Sequence, residues 1–326
     1  MPPPYDRLTP DLLLDALETL GLDVDGRLLA LNSFENRVYQ VGIYEGAPLV
    51  VKFYRPQRWS DGQILEEHAY TAELLEAELP VVAPLKLAGR TLHSHEGFRF
   101  AVYPRQGGRP PELDQPGTLA WMGRLMARIH AVGRRQRFKQ RQTLSLQSYG
   151  TTSLATIRDG DFLPPELADI WLGVAEQALE GVARCFEQAG AKTLRLHGDC
   201  HSGNVLWTDE GPHFVDFDDS CSGPAVQDLW MLLSGDAEAM AGQLRQVLEG
   251  YEQFVDFDRS EVYLIEALRT LRLIHYSAWI AKRWDDPAFP AAFPWFGSPR
   301  YWQDRILELR EQLALLENPG EILQYL

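Results

Sequence analysis

The chain has 326 residues, is 45% apolar and 24% charged, and carries a formal net charge of −15. That is the make-up of an ordinary globular protein of one large domain or two moderate ones. So acidic a surface repels nucleic acid and anionic membrane, and neither is an expected partner.

Three cysteines, Cys185, Cys200 and Cys221, are too few and too irregularly placed for a disulfide framework, which suits a reducing compartment. The opening stretch MPPPYDRLTPD lacks the apolar run of a signal peptide, and no later stretch has the length of a membrane span. A cytoplasmic monomer is the expectation.

The first predicted elements form a β-hairpin. Val38 to Ile43 and Leu49 to Tyr54 are rich in β-branched and aromatic residues, and YEGAP supplies the turn between them. A helix follows in DGQILEEHAYTAELLEAELP. Asp61 is its candidate N-cap, Ile64, Leu65, His68, Leu74 and Leu75 its apolar stripe, and Pro80 its stop. Further strands are expected in VVAPLKLAGRTLHSHEGFRFAVYP. The composition then shifts at the Gly/Pro-rich RQGGRPPELDQPG, which marks a boundary between residues 1–104 and 105–326.

Beyond the boundary the pattern is helical. LAWMGRLMARIHAV spaces Trp121, Leu125 and Ile129 four apart, and PPELADIWLGVAEQALEGVARCFEQAG begins on proline and ends before Gly190. Trp171, Val174, Ala178, Val182 and Phe186 are its predicted apolar face. GPAVQDLWMLLSG and residues 260–284 are read as helical too. The chain is therefore α+β: a small β-rich N-terminal part with one helix, and a larger, mostly helical remainder. The basic run RRQRFKQR, 134–141, reads as a solvated helix end, with a docking patch for an acidic substrate as the other reading.

Chemistry concentrates in LRLHGDCHSGNVLW, residues 194–207, and FVDFDD, residues 214–219. Between them, VLWTDEGPHF reads as two short strands and a turn, which folds Asn204 back beside Asp216. An amide oxygen next to a carboxylate is a hard ligand pair suited to Mg2+. A separate carboxylate, Asp199, can take a proton from an attacking hydroxyl. Metal on the phosphates and base on the nucleophile is the division of labour of phosphoryl transfer. Lys52 lies in an apolar strand, LVVKFYRP, where an ammonium needs a partner. In a kinase it reaches the α- and β-phosphates of ATP and is oriented by a glutamate on the next helix. Glu66, Glu67 and Glu73 are available, and Glu67 is the choice.

The set HGDCHSGN, VDFDD and GPAVQDL resembles that of the kinase-like phosphotransferases, the superfamily of aminoglycoside and choline kinases. Together with NSFENRVYQV, VVKFYRPQRW and QILEEH, it resembles the bacterial stress-response serine/threonine kinases within that superfamily, from about residue 5 to the C-terminus. The resemblance implies a bilobal protein-kinase-like fold and transfer from ATP to a protein Ser or Thr. It makes Asp199 the catalytic base, and Asn204 and Asp216 the Mg2+ ligands, Asp216 also orienting the phosphates. Lys52 becomes the ATP lysine, Glu67, by its spacing ahead of Pro80, its ion-pair partner, and Ser33 a nucleotide contact. Val102 to Arg105 falls at the adenine-binding connection. His197 is implied to be structural, and Asp228 to hold catalytic-loop backbone.

One departure stands out. Ahead of the lysine there is no G-x-G-x-x-G; the turn NSFENR has no glycine, so the loop must use side chains such as Ser33 and Asn36 or hold the nucleotide less tightly. Asp218 and Asp219 are spare carboxylates, expected to be solvated turn residues, with a third metal contact as the other reading.

The same residues admit competing functions. A small-alcohol phosphotransferase of the aminoglycoside, choline or homoserine kinase type shares every one of them. A metallophosphoesterase fits GDCH but needs further Asp, Asn and His ligands downstream, which the sequence lacks. A catalytically dead nucleotide sensor is disfavoured because base, metal ligands and lysine are all present.

Overall fold

A computed structural model describes residues 3–326 of the chain. The first half runs α1 (Pro10–Glu18), β1 (Val24–Ala30), β2 (Arg37–Ile43), β3 (Leu49–Phe53), α2 (Asp61–Glu76), β4 (His93–His95), β5 (Phe98–Pro104), α3 (Thr118–Gly133), α4 (Thr152–Arg158) and α5 (Pro165–Ala189). The second runs β6 (Leu194–Leu196), β7 (Val205–Thr208), β8 (Gly211–Phe214), β9 (Cys221–Gly223), α6 (Val226–Trp230), α7 (Ala237–Tyr251), α8 (Ile265–Ala281), α9 (Ala288–Ala292) and α10 (Pro299–Glu317).

The chain makes two compact units whose membership does not follow chain order. The first holds residues 3–111, 139–141 and 202–219; the second holds 112–138, 142–201 and 220–326. A cut at residue 104 misses this, because the β7–β8 hairpin belongs with the distant N-terminal sheet. Its Phe214 exchanges backbone hydrogen bonds with Pro80 and Val82, and Trp207 does so with Arg109.

The first unit is built on an antiparallel sheet of order β1-β2-β3-β5-β4. Side chains alternate across a strand, so β3 divides its residues between two faces. Val51 and Phe53 join Val41, Phe98, Phe100 and Val102 under α1, against Leu13, Ala16 and Leu17. On the other face Tyr54, Ala101 and Tyr103 pack with Ile64 of α2 and with Val50. Lys52, between Val51 and Phe53, belongs to the α2 face.

Some elements differ from expectation. Helix α1 and strand β1 are additions. Thr9 caps α1, accepting from the Leu12 N–H, and Pro10 opens it. In β1 the register shifts between Val24 and Leu28, around Gly26 at φ 80°, which breaks the two-residue alternation that reveals a strand. The α2 cap is Ser60 rather than Asp61, in a reciprocal capping box with Gln63. Of the residues read as apolar stripes, Ile64, His68 and Leu74 of α2 and Leu125 and Ile129 of α3 are buried, while Leu65, Leu75 and Trp121 are exposed at the stripe edges. In α5, Trp171, Ala175, Ala178, Val182 and Cys185 are buried, with Val174 and Phe186 at the margin.

The second unit is helical around the short β6–β9 pair. Helices α3 and α7 approach so closely that a Cβ on Gly123 would lie 1.9 Å from the Val247 carbonyl oxygen, and one on Gly250 1.8 Å from that of Ala120. Only glycine at both positions permits that separation. The C-terminal helices enclose an aromatic cluster that includes Trp279, stacked by Tyr276 and flanked by Phe289 and Phe293, and Trp284, against Phe162 and Phe296. Among the described residues no helix is long and apolar enough to cross a membrane.

Candidate active site

The first unit carries a charge cluster around Lys52. Its ammonium donates to Asp216 Oδ1 at 2.9 Å. The lysine side chain is 9% exposed, the aspartate 51%, so the pair presents its carboxylate outward and its amine inward. Burial disfavours the charged amine, but Asp216, aided by Asp218 and Glu67, outweighs this and raises its pKa well above the ordinary lysine value. Lys52 therefore remains a cation inside an apolar sheet, as the strand LVVKF requires.

Asp216 has a left-handed backbone, φ 59°. For a non-glycine residue that conformation costs about 1–3 kcal/mol and persists only where neighbours enforce it, commonly at functional sites. The enforcement is visible in the next three residues. Arg58 bonds the carboxylates of both Asp218 and Asp219, Asn36 Nδ2 donates to Asp218 Oδ2 at 3.1 Å, and Arg141 donates to the Asp218 carbonyl at 2.6 Å. Burial raises the Asp218 pKa, but Arg58, Lys52 and Arg141 carry it well below the carboxylate range. Asp218 is thus a buried anchor, not a solvated turn residue. A lone sequence cannot show this, because its partners lie 77 and 160 positions away.

Asn36 is also committed elsewhere than expected. Its amide nitrogen goes to Asp218 and its oxygen accepts from the Arg55 N–H at 3.1 Å, so both ends fix the loop and neither offers itself to phosphate. Ser33 lies between β1 and β2, half-buried, in the same loop.

Glu67 lies buried on α2 with its pKa pushed up to about 7 by burial, against the pull of Lys52 and Arg141. It does not form the direct pair with Lys52 that a kinase resemblance implies; that ammonium goes to Asp216. Instead Glu67 acts on Lys52 at longer range, beside His68 at 3.7 Å. His68 bonds Tyr54 and Thr91, and Tyr54 bonds Tyr103, filling the space between strand and helix with neutral polar groups. Burial drops the His68 pKa to about 3.

The neighbouring Glu66 has the role no sequence signal announced. Its carboxylate accepts three backbone N–H groups, from Lys139, Gln140 and Arg141, at 2.7–2.9 Å. The basic run is therefore not wholly solvated: Arg134, Arg135 and Arg137 are exposed, but the backbone of residues 139–141 is clamped to α2 and Arg141 is buried.

The β7–β8 hairpin closes as predicted, Val205 opposite Phe214, with the Val215 N–H on the Asn204 carbonyl at 3.0 Å. Asn204 therefore lies beside the segment that carries Asp216. Of residues 102–105, Val102 and Tyr103 are buried in the sheet and the Val102 carbonyl accepts from Leu85, while Pro104 and Arg105 are exposed.

The second unit carries the HGD loop. Asp228 on α6 is fully buried and accepts the backbone N–H groups of His197 at 2.9 Å and Gly198 at 2.8 Å. It also bonds His130, which bonds Tyr251. Gln227 donates to the Gly198 carbonyl, and Gly198 itself sits at φ 90°, where a side chain would strain the turn. Both peptide groups leading into Asp199 are thereby fixed. The His197 ring is buried, and its Nδ1 receives the Asp199 N–H at 3.4 Å.

Asp199 is mostly buried yet ionised. Burial raises its pKa, but Arg272, at 2.6 Å, and His201, at 3.5 Å, hold it below the ordinary carboxylate value. The sequence did not flag Arg272, which is 73 positions away on α8. Cys200 is buried against Met126, and burial, with Asp228 and Asp199, raises its thiol pKa well above the ordinary value, so it is not a reactive thiolate.

Among the described residues no three His, Cys, Asp or Glu side chains gather to hold a metal. An Asp–Asn pair suits a different arrangement, in which phosphate oxygens and water complete the shell of a Mg2+ ion.

Comparison with known proteins supplies the family. The profile of the phosphotransferase enzyme family (APH) matches residues 27–265. Stress response kinase A of Escherichia coli K12 is 44% identical over 315 residues, 97% of this chain and 95% of that protein. A protein of Salmonella typhimurium named serine/threonine protein kinase RdoA matches with the same identity and coverage. Among solved structures, an amicoumacin kinase in complex with AMP-PNP, Ca2+ and Ami superposes with a TM-score of 0.72 at 20% identity, covering 98% of this chain and 95% of that one. A microcompartment-associated aminopropanol kinase gives 0.71 at 17% identity, covering 94% and 97%.

Proposed function

The chain belongs to the phosphotransferase enzyme family and is an ATP-dependent kinase, and from that premise we propose that it phosphorylates serine or threonine in a protein, with Mg2+ as its metal. The observation that carries the nucleotide and metal part of this reading is the pair of Lys52 and Asp216: a buried cation 2.9 Å from a half-exposed carboxylate on a strained backbone. A lysine so placed neutralises charge on the α- and β-phosphates of ATP. Asp216 and the side chain of Asn204 would hold the metal, which when bound screens the phosphate oxygens against the incoming nucleophile. Glu67 sets the field around Lys52 rather than gripping it, and Ser33 is proposed to contact the nucleotide.

Asp199 is the proposed base. Its loop is pinned by Asp228 through two peptide N–H groups, so the carboxylate is positioned before any substrate arrives, and positioning is most of what this chemistry asks of the protein. It orients the acceptor hydroxyl and takes its proton late, because a loose transition state makes little demand on a base.

The names of the curated relatives, stress response kinase A and serine/threonine protein kinase RdoA, support a protein acceptor and a part in a stress response. Buried free thiols at Cys185, Cys200 and Cys221 suit the reducing cytoplasm. The test is a labelled-ATP assay with Mg2+ that offers protein and small-alcohol acceptors side by side. Label in Ser or Thr of a protein is the expected result. Turnover confined to a small alcohol would assign the other acceptor class.

A further inference from the structure

Resting on the reading of Asp199 as base, we infer that Arg272 and the aromatic face of α8 beyond it select the acceptor: a Ser or Thr in an extended polypeptide, flanked by an acidic residue on one side and an apolar one on the other.

The geometry begins at the base itself. Arg272 Nη1 donates to Asp199 Oδ1 at 2.6 Å, yet the arginine side chain is 48% exposed. The same Nη1 also reaches Met231 Sδ at 3.9 Å, and with the side chain half-exposed part of the planar fork faces solvent beside the reacting carboxylate. A fork in that position can take a carboxylate in two parallel bonds, a geometry that lysine cannot reproduce.

Along the same helix Tyr276 and Trp279 follow at i+4 and i+7, so all three side chains share a face. Tyr276 stacks on Trp279, centroids 5.9 Å apart and planes within 15°. Phe293 joins this pair at 5.8 Å from Trp279, and Trp295 at 5.6 Å from Phe293. Tyr276 and Trp295 remain 37% and 40% exposed. Phe293 is buried and meets Trp279 and Trp295 edge-on, so it backs a surface whose exposed rings are Trp295 and Tyr276, the latter one helical turn from the arginine that holds the catalytic carboxylate.

Charge decides which occupant fits. The chain is acidic overall, −15, but around these rings stand guanidinium groups: Arg272, Arg283 over Trp279 at 5.2 Å, and Arg305, which Glu308 pairs. A cationic acceptor would meet Arg272 at the point where its hydroxyl must enter. An acidic neighbour of the hydroxyl would instead dock on the fork while an apolar neighbour lies on Tyr276 and Trp279. In the transfer, the hydroxyl oxygen bonds the γ-phosphorus as the bond from phosphorus to the bridging oxygen breaks. The electron pair leaves with ADP, and the proton passes to Asp199 and then to solvent.

The test uses two Ser peptides of equal length, one with Glu and one with Lys beside the serine, each with Leu on the other side. The wild-type protein should turn over the acidic peptide with at least tenfold higher kcat/KM, mostly through KM. Arg272→Glu should reverse the order, Arg272→Lys should keep it at reduced size, and Tyr276→Ala should raise KM for both peptides with kcat little changed. Unfolding midpoints within a degree or two of wild type show that the variants are folded. An identical charge preference in wild type and Arg272→Glu would overturn the inference while leaving Asp199 in its role. Undiminished turnover by Asp199→Asn would instead remove the base and the inference with it.

Discussion

Lys52 and Asp216 hold opposite charges 2.9 Å apart, and Asp199 keeps its charge through Arg272, so each single change has a distinct outcome. Asp199→Asn preserves shape and removes the proton acceptor. Turnover should fall by about a hundredfold to ten-thousandfold, the usual contribution of a positioned base, while ATP affinity stays near wild type. Asp216→Asn should weaken Mg2+-dependent nucleotide binding at least about tenfold, read by titrating ATP with and without the metal. Glu67 offers a pH test. Burial lifts its folded pKa from 4.5 to about 7, so over that interval the folded protein keeps a proton that the unfolded chain releases. Its contribution to stability is therefore greatest at acid pH and is lost as the pH rises to about 7. Glu67→Gln should flatten that decline in urea-unfolding midpoints. A residual slope should persist from Glu261, which burial also raises to about 7.

At the scale of elements, two contacts should dominate. Helix α2 is tied by Glu66 to three peptide N–H groups of residues 139–141. Charge-assisted bonds to a half-buried carboxylate are worth more than neutral ones, so Glu66→Ala should cost about 2 kcal/mol and speed hydrogen exchange at those three amides. The α3–α7 crossing leaves no room for a methyl group at Gly123. Gly123→Ala should cost about 3 kcal/mol or more by overpacking, seen as a lowered unfolding midpoint. Which elements were legible follows from their periodicity. The β2–β3 hairpin, α2, α3 and α5 announce themselves because a period of 2 or of 3.6 runs unbroken through each of them. Strand β1 was hidden by its bulge. Thr9, Pro10 and the leucines after them form the start signal of helix α1.

On the scale of the molecule, the two units draw on discontinuous stretches of chain, and the hairpin of residues 205–214 belongs with a sheet that ends at residue 104. By itself the sequence determined the family, the α+β make-up and the candidates Lys52, Asp199, Asn204 and Asp216, because those depend on residue type and short spacing. Their partners are set by packing between remote segments. Lys52 meets Asp216 and not Glu67, Asp199 is held by Arg272, Asn36 serves Asp218, and Glu66 pins a distant loop. The reason is physical: a buried charge takes whichever opposite charge the packing of remote segments brings within reach, and no local pattern in the chain encodes that distance.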